Sequence, residues 1–183
     1  MSTIIRWRSI VPDARAPCYC YECTPLFEGS PARLVHHLTA PSGNHYWPAV
    51  NIKYETCYPF AVPESLEDHR RLLATEDDDN VFLLAMGTGK AHTGRRPISV
   101  VCARGNGADA GTSPLYWCVL TITTPPAYEG DLNNPLTLNG TVPSCSIPSN
   151  VDMEEAWYHF HPKMMHGDSK EPTFTIHPDA CEL

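Results

Sequence analysis

Hydrophobic and polar positions alternate with period two along much of this chain, which predicts short β-strands. In 3–11 Ile5 and Trp7 fall on one side and Ile4, Arg6 and Arg8 on the other. In 49–56 Val50, Ile52 and Tyr54 alternate with Asn51, Lys53 and Glu55, giving one buried and one wet face. Segment 32–39 is short and β-compatible. Three runs, 80–86, 97–103 and 115–123, are continuously apolar at strand length and rich in β-branched and aromatic residues, the pattern of central strands covered on both faces. Segments 136–142, 156–162 and 172–178 alternate again.

One segment changes period. In 63–79 Leu66, Arg70 and Leu73 recur at i, i+4 and i+7, Ser65 and Asp68 imitate a capping box, and Glu64 and Glu67 suit the positive end of a helix dipole. This predicts one helix, about 64–75, inserted between strands, ending in the acidic run Glu76-Asp77-Asp78-Asp79. Proline is confined to loops and strand ends, where its missing N–H costs no ladder bond. The turn spacing fits an all-β chain: an antiparallel two-sheet sandwich, with a jelly roll as one form of it. No internal repeat or long linker divides residues 1–183, so a single domain is expected.

Composition narrows the functional classes. The chain has 183 residues and a formal net charge of −8. Phosphate neutralisation needs a Lys/Arg surplus, so direct nucleic-acid binding is not expected. No apolar run approaches the length of a membrane span. Residues 129–183 hold nine acidic groups against two basic ones, and so carry nearly all of the excess. Arg6 and Arg8 interrupt the apolar N-terminus, so no secretory signal is read, and reduced thiols are expected for the eight cysteines. Cys102 and Cys118 lie in apolar strands and read as small buried hydrophobes.

Two constellations suggest metal chemistry. Cys18, Cys20 and Cys23 place three thiols within six residues, enough for three soft zinc ligands, with a fourth from His36, His37, His45 or Cys57. The half Cys20-x-x-Cys23 has a familiar knuckle spacing. Any zinc held here would be structural. His159 and His161, two apart on a strand, point to one side; His166 could return after the turn, and His177, Glu154 and Glu155 are near in sequence. That set would suit a small β-barrel metalloenzyme.

Other motifs fail on spacing. In 86–92 Gly87 and Gly89 are one residue apart and Ala91 follows Lys90, so a phosphate-binding loop is excluded. Asp77-Asp78-Asp79-Asn80 lacks the order of a calcium loop. Asn139-Gly140-Thr141 is a glycosylation sequon that carries no functional meaning without a secretory route. No assembled nucleophile set is present, and a non-enzymatic role is expected: a structural component of a large assembly. An outer, cementing or protruding part of a virus particle fits best, within a virion or intracellular assembly. It would contact other protein subunits through anchors such as Trp7, Trp47, Trp117 and Trp157. A zinc-binding interaction module is the alternative.

Overall fold

The structure is a computed structural model, and it describes residues 17–41, 43–60, 67–88, 90, 94–104, 116–123, 135–153, 156, 158–161 and 173–178. The chain is mostly β, with one short α-helix among the described residues. Among the described residues the first elements are β1 (Cys18–Cys20), β2 (Phe27–Gly29) and α1 (Pro31–Thr39). Then come β3 (Ala49–Ile52), β4 (Tyr58–Pro59), β5 (His69–Thr75), β6 (Val81–Met86), β7 (Arg96–Ala103) and β8 (Tyr116–Thr123). The last strands are β9 (Pro135–Thr141), β10 (Ser144–Cys145), β11 (Tyr158–Phe160) and β12 (Thr173–Pro178).

The described residues form three sheets. A mixed six-stranded sheet runs β10-β7-β6-β5-β3, with β11 also paired to β7. A four-stranded sheet runs β4-β12-β8-β9, and β1 and β2 form a separate hairpin. The four-stranded sheet is antiparallel throughout. The six-stranded sheet is not: β3 runs parallel to β5, and β10 parallel to β7. Those two parallel pairs depart from a purely antiparallel arrangement.

Strand β6 shows why the six-stranded sheet is central. Every residue from Val81 to Met86 is buried. Phe82, Leu84 and Met86 join one core cluster, which unites Ile98 and Val100 of β7 with Tyr116, Cys118, Leu120 and Ile122 of β8 and Phe174 and Ile176 of β12. Val81, Leu83 and Ala85 face the other way, into a second cluster with Leu72, Val101, Ala103, Leu34, Leu38, Cys18 and Cys20. The hairpin and helix thus cover one face of the six-stranded sheet, and the four-stranded sheet supplies the partners on the other.

The helix lies elsewhere than its expected place. Residues 69–75, within the expected helix at 64–75, form strand β5, antiparallel to β6 from His69↔Met86 to Ala74↔Val81; residues 61–66 lie outside the described residues. Leu72 and Leu73 are both fully buried, on opposite faces. A two-sided apolar neighbour offers both leucines a core, and a one-sided helix could not use it; tertiary burial overrides propensity. The acidic run is therefore a hairpin turn and not a helix end. Thr75 Oγ1 lies 2.5 Å from Asp78 Oδ1, the Asn80 amide N donates to the same oxygen at 2.9 Å, and Tyr54 donates its hydroxyl to the Asp78 carboxylate at 3.1 Å. Asn80 Nδ2 continues the network to Tyr116 Oη at 2.7 Å. Burial raises the hydroxyl pKa of both tyrosines, so they serve as neutral partners.

Segment 32–39, by contrast, is helical. Ser30 is the N-cap, its Oγ accepting from the Arg33 amide at 3.4 Å, and Pro31 sits at the first helical position. Pro31, Leu34 and Leu38 recur along one face and are buried. The remaining expected strands, 49–56, 80–86, 97–103, 115–123, 136–142, 156–162 and 172–178, are present with boundaries that differ at one or both ends. Segment 3–11 lies outside the described residues.

Candidate metal centre

Four side chains from three elements converge beside the hairpin. Cys20 ends β1, Cys23 follows in the loop, His37 lies in the last turn of α1, and His45 lies in the loop between α1 and β3. One ligand atom from each falls within 4.8 Å of all the others. Among the described residues this is the only such group of His, Cys, Asp or Glu side chains.

The distances suit a tetrahedral ion. With Zn–S near 2.3 Å and Zn–N near 2.0 Å, tetrahedral edges are about 3.8 Å for S···S and about 3.5 Å for S···N. Cys20 Sγ and Cys23 Sγ are 3.9 Å apart, and His45 Nε2 is 3.2 Å from each. The Nε2 of His37 is buried with no hydrogen-bond partner. An unsatisfied buried nitrogen costs about 1–3 kcal/mol, which coordination by a lone pair would relieve. Burial, and then Cys20, raise the Cys23 thiol pKa, so metal binding would release a proton there.

Local structure aims each ligand. In the β1–β2 hairpin Cys20 is registered opposite Phe27, whose ring stacks on His37 at 4.3 Å. Gly29, opposite Cys18 at the open end of the hairpin, leaves room for that ring, since a Cβ there would lie 2.8 Å from Phe27 Cζ. Tyr46 has φ 48°, a left-handed conformation costing on the order of 1 kcal/mol for a non-glycine residue. This turn lets His45 and Trp47 both pack inward, rings 5.1 Å apart, while Tyr46 stands in solvent. The Trp47 amide donates to Leu38 O at 2.8 Å and ties the His45 loop to the helix.

Outer contacts extend the site to the large sheet. Glu22, between the two ligand cysteines, places Oε2 3.4 Å from His45 Nδ1 and Oε1 3.7 Å from an Arg70 nitrogen. The Arg70 guanidinium lies over Trp47 at 5.2 Å and donates to Ser149 O at 2.5 Å.

Of the expected ligands, Cys20 and Cys23 are in the group and Cys18 is not. Cys18 shares their buried face but lies two residues back along a strand, about 6.6 Å, and two sulfurs on one zinc are at most about 4.6 Å apart. It is fully buried in the second core cluster, where burial and the neighbouring Cys102 and Cys145 push its thiol up to about 12. Among the named candidates for the remaining position, both His37 and His45 take part. His36 is exposed on the helix, and Cys57 lies by the four-stranded sheet, its Sγ 3.3 Å from Thr175 Oγ1. Cys102 and Cys118 are buried, as their strands predict.

Of the expected histidine set, His159 and His161 lie among the described residues. His159 sits on β11 opposite Pro97, and His161 follows near Gly94. Neither joins a metal-holding group among the described residues. His177, on β12 opposite Trp117, joins none either. His166, Glu154, Glu155, Trp7 and Trp157 lie outside the described residues. Trp47 is half-buried against His45 and Arg70, while Trp117 is exposed.

A histidine not singled out by its sequence context also matters. His69 opens β5 with its Nε2 buried and unpaired. Burial first, and then Arg96, lower its pKa below 6.5, with Arg71 adding to the effect and Glu67 and Asp68 opposing it. The unfolded chain therefore binds a proton that the folded chain resists. That share of stability is present above pH 6.5 and is lost as pH falls through the depressed folded value. Urea unfolding at pH 7.5 and 5.5 is expected to show a smaller acid loss for His69→Gln than for wild type; equal losses would remove His69 from the account.

The chain matches no protein-family model, and comparison with curated proteins finds no match. Among the described residues no helix is long and apolar enough to cross a membrane.

Proposed function

We propose that this chain is a zinc-stapled β protein acting as an interaction component of a larger protein assembly, with the metal organising loops and not performing chemistry. The observation that carries this reading is the convergence of Cys20, Cys23, His37 and His45 within 4.8 Å. Four protein ligands fill a tetrahedral shell and leave no open position for substrate. Two thiolates with two imidazoles favour zinc over hard cations, which select oxygen ligands.

The assembly part draws on the surface around those ligands. Three of the large exposed apolar side chains, Tyr21, Leu26 and Tyr46, stand on the two loops that carry Cys20, Cys23 and His45. Aromatic anchors on constrained loops are the usual material of protein–protein contacts. An outer, cementing or protruding component of a virus particle is the form of assembly we favour, given a net charge of −8 that disfavours genome contact. The architecture we read is a sandwich whose layers are the six- and four-stranded sheets. Two parallel pairs stand against a jelly roll, which is antiparallel.

Native mass spectrometry of the protein purified without chelator tests both parts. One zinc per chain and oligomeric or partner-bound species are expected. Less than a tenth of an equivalent of zinc ends the metal reading, and a monodisperse monomer ends the assembly reading.

A further inference from the structure

The Cys20-x-x-Cys23 turn holds two exposed residues, of which Glu22 reaches back to the site. Tyr21 points to solvent, 57% exposed. Glu22 turns back and sets its two carboxylate oxygens on different partners: His45 Nδ1 at 3.4 Å and the Arg70 guanidinium at 3.7 Å. The His45 side chain is only 5% exposed, and its other nitrogen, Nε2, is the atom facing both sulfurs.

A neutral imidazole that coordinates through Nε2 must carry its proton on Nδ1. A carboxylate beside Nδ1 accepts that proton in a hydrogen bond, which selects the tautomer, fixes the ring plane and raises the basicity of the coordinating nitrogen. Arg70 holds the carboxylate in turn. It belongs to β5 of the six-stranded sheet and is fixed by Trp47 beneath it and Ser149 O beside it. The chain of contacts runs from ligand to carboxylate to guanidinium to sheet.

We infer that Glu22 is the positioning residue of the metal centre: it holds His45 as the Nδ1–H tautomer and, through Arg70, links metal affinity to docking of the Cys20–Cys23 loop on the six-stranded sheet. This inference rests on the zinc reading above. It assigns to Glu22 a task that the cysteines and histidines cannot perform for themselves.

The test uses the full chain, zinc and a competing chromophoric chelator, with Glu22→Ala, Glu22→Gln and, as control, Glu28→Gln. Glu28 is exposed on the neighbouring strand β2 and lies outside the ligand group. Outer-sphere partners of ligand histidines typically govern metal affinity by about 10–100-fold. Glu22→Ala is expected to weaken zinc binding within that range. Glu22→Gln keeps a hydrogen-bond acceptor without the charge, and should recover part of the loss. Glu28→Gln should match wild type. Nitrogen-15 NMR of the imidazole rings supplies a readout that a merely structural role would not move: zinc-loaded wild type should show His45 protonated at Nδ1 with a slowly exchanging proton, and Glu22→Ala should lose that slow exchange. If wild type binds one zinc and Glu22→Ala binds as tightly, with the same ring signals, the inference is wrong and the zinc reading stands. If wild type takes up no zinc, both fall.

Discussion

Serine at Cys20 is expected to lower the midpoint of thermal unfolding of the zinc-loaded protein by about 10 °C, and a strong chelator should do the same to wild type. A ligand present at about 1,000 times its Kd stabilises the native state by about 4 kcal/mol. In a chain of this size each kcal/mol moves the midpoint by about 2–4 °C. Cys20 is fully buried and belongs to the second core cluster, so loss of a bound ion would loosen the contacts that hold β1 and α1 on Leu72, Leu83 and Val101. The other cysteines make the result specific. Cys57 is exposed and distant from the group, so Cys57→Ser should be silent. Cys18→Ala should destabilise through lost packing and, unlike Cys20→Ser, should still lose stability when chelator is added. Calorimetry of the three variants, each with and without chelator, checks this. A midpoint moved by less than about 2 °C in both Cys20→Ser and chelated wild type would show that no structural ion is present.

The second large effect concerns β6, the strand buried on both sides. Phe82→Ala should cost about 3–5 kcal/mol and Leu83→Ala about 2–5 kcal/mol, measured by urea unfolding. Phe82 packs edge-on against Tyr116, rings 4.9 Å apart, in the cluster shared with the four-stranded sheet. Leu83 packs in the cluster that the helix and hairpin complete. If only one face of the six-stranded sheet were covered, one of these neighbouring variants would be nearly neutral. On the reading that zinc is bound, the metal adds a further discrimination. Removing it should shrink the Leu83→Ala penalty, because that cluster is already loosened, and leave the Phe82→Ala penalty unchanged. Equal changes in both would contradict the division of the core into two clusters.

The knuckle was legible because spacing alone brings the two thiols of a tight turn close together. His37 and His45 were legible only as candidates, since nothing in the order of residues says which imidazole a helix and a loop will return to Cys20. Cys18 misleads as a third ligand because a one-dimensional count of thiols ignores strand rise. The Ser30-Pro31 pair is a sound start signal for the helix at 31–39, but the eight residues after it are too few for periodicity to separate helix from strand. At 69–75 the reverse holds: leucine spacing imitates a helix, and only the neighbouring strand reveals that Leu72 and Leu73 serve two cores.

Period two, apolar runs and the placement of proline determined that this chain is built mainly of short strands, because side-chain alternation is a local property of extended backbone. Cys20 and Cys23 belong to the same local category. Which residues form the one helix, which strands run parallel and which histidines meet the thiols were decided by the tertiary structure. Those outcomes depend on contacts between segments far apart in the chain, where burial on a particular neighbour outweighs the small propensities that any one segment carries.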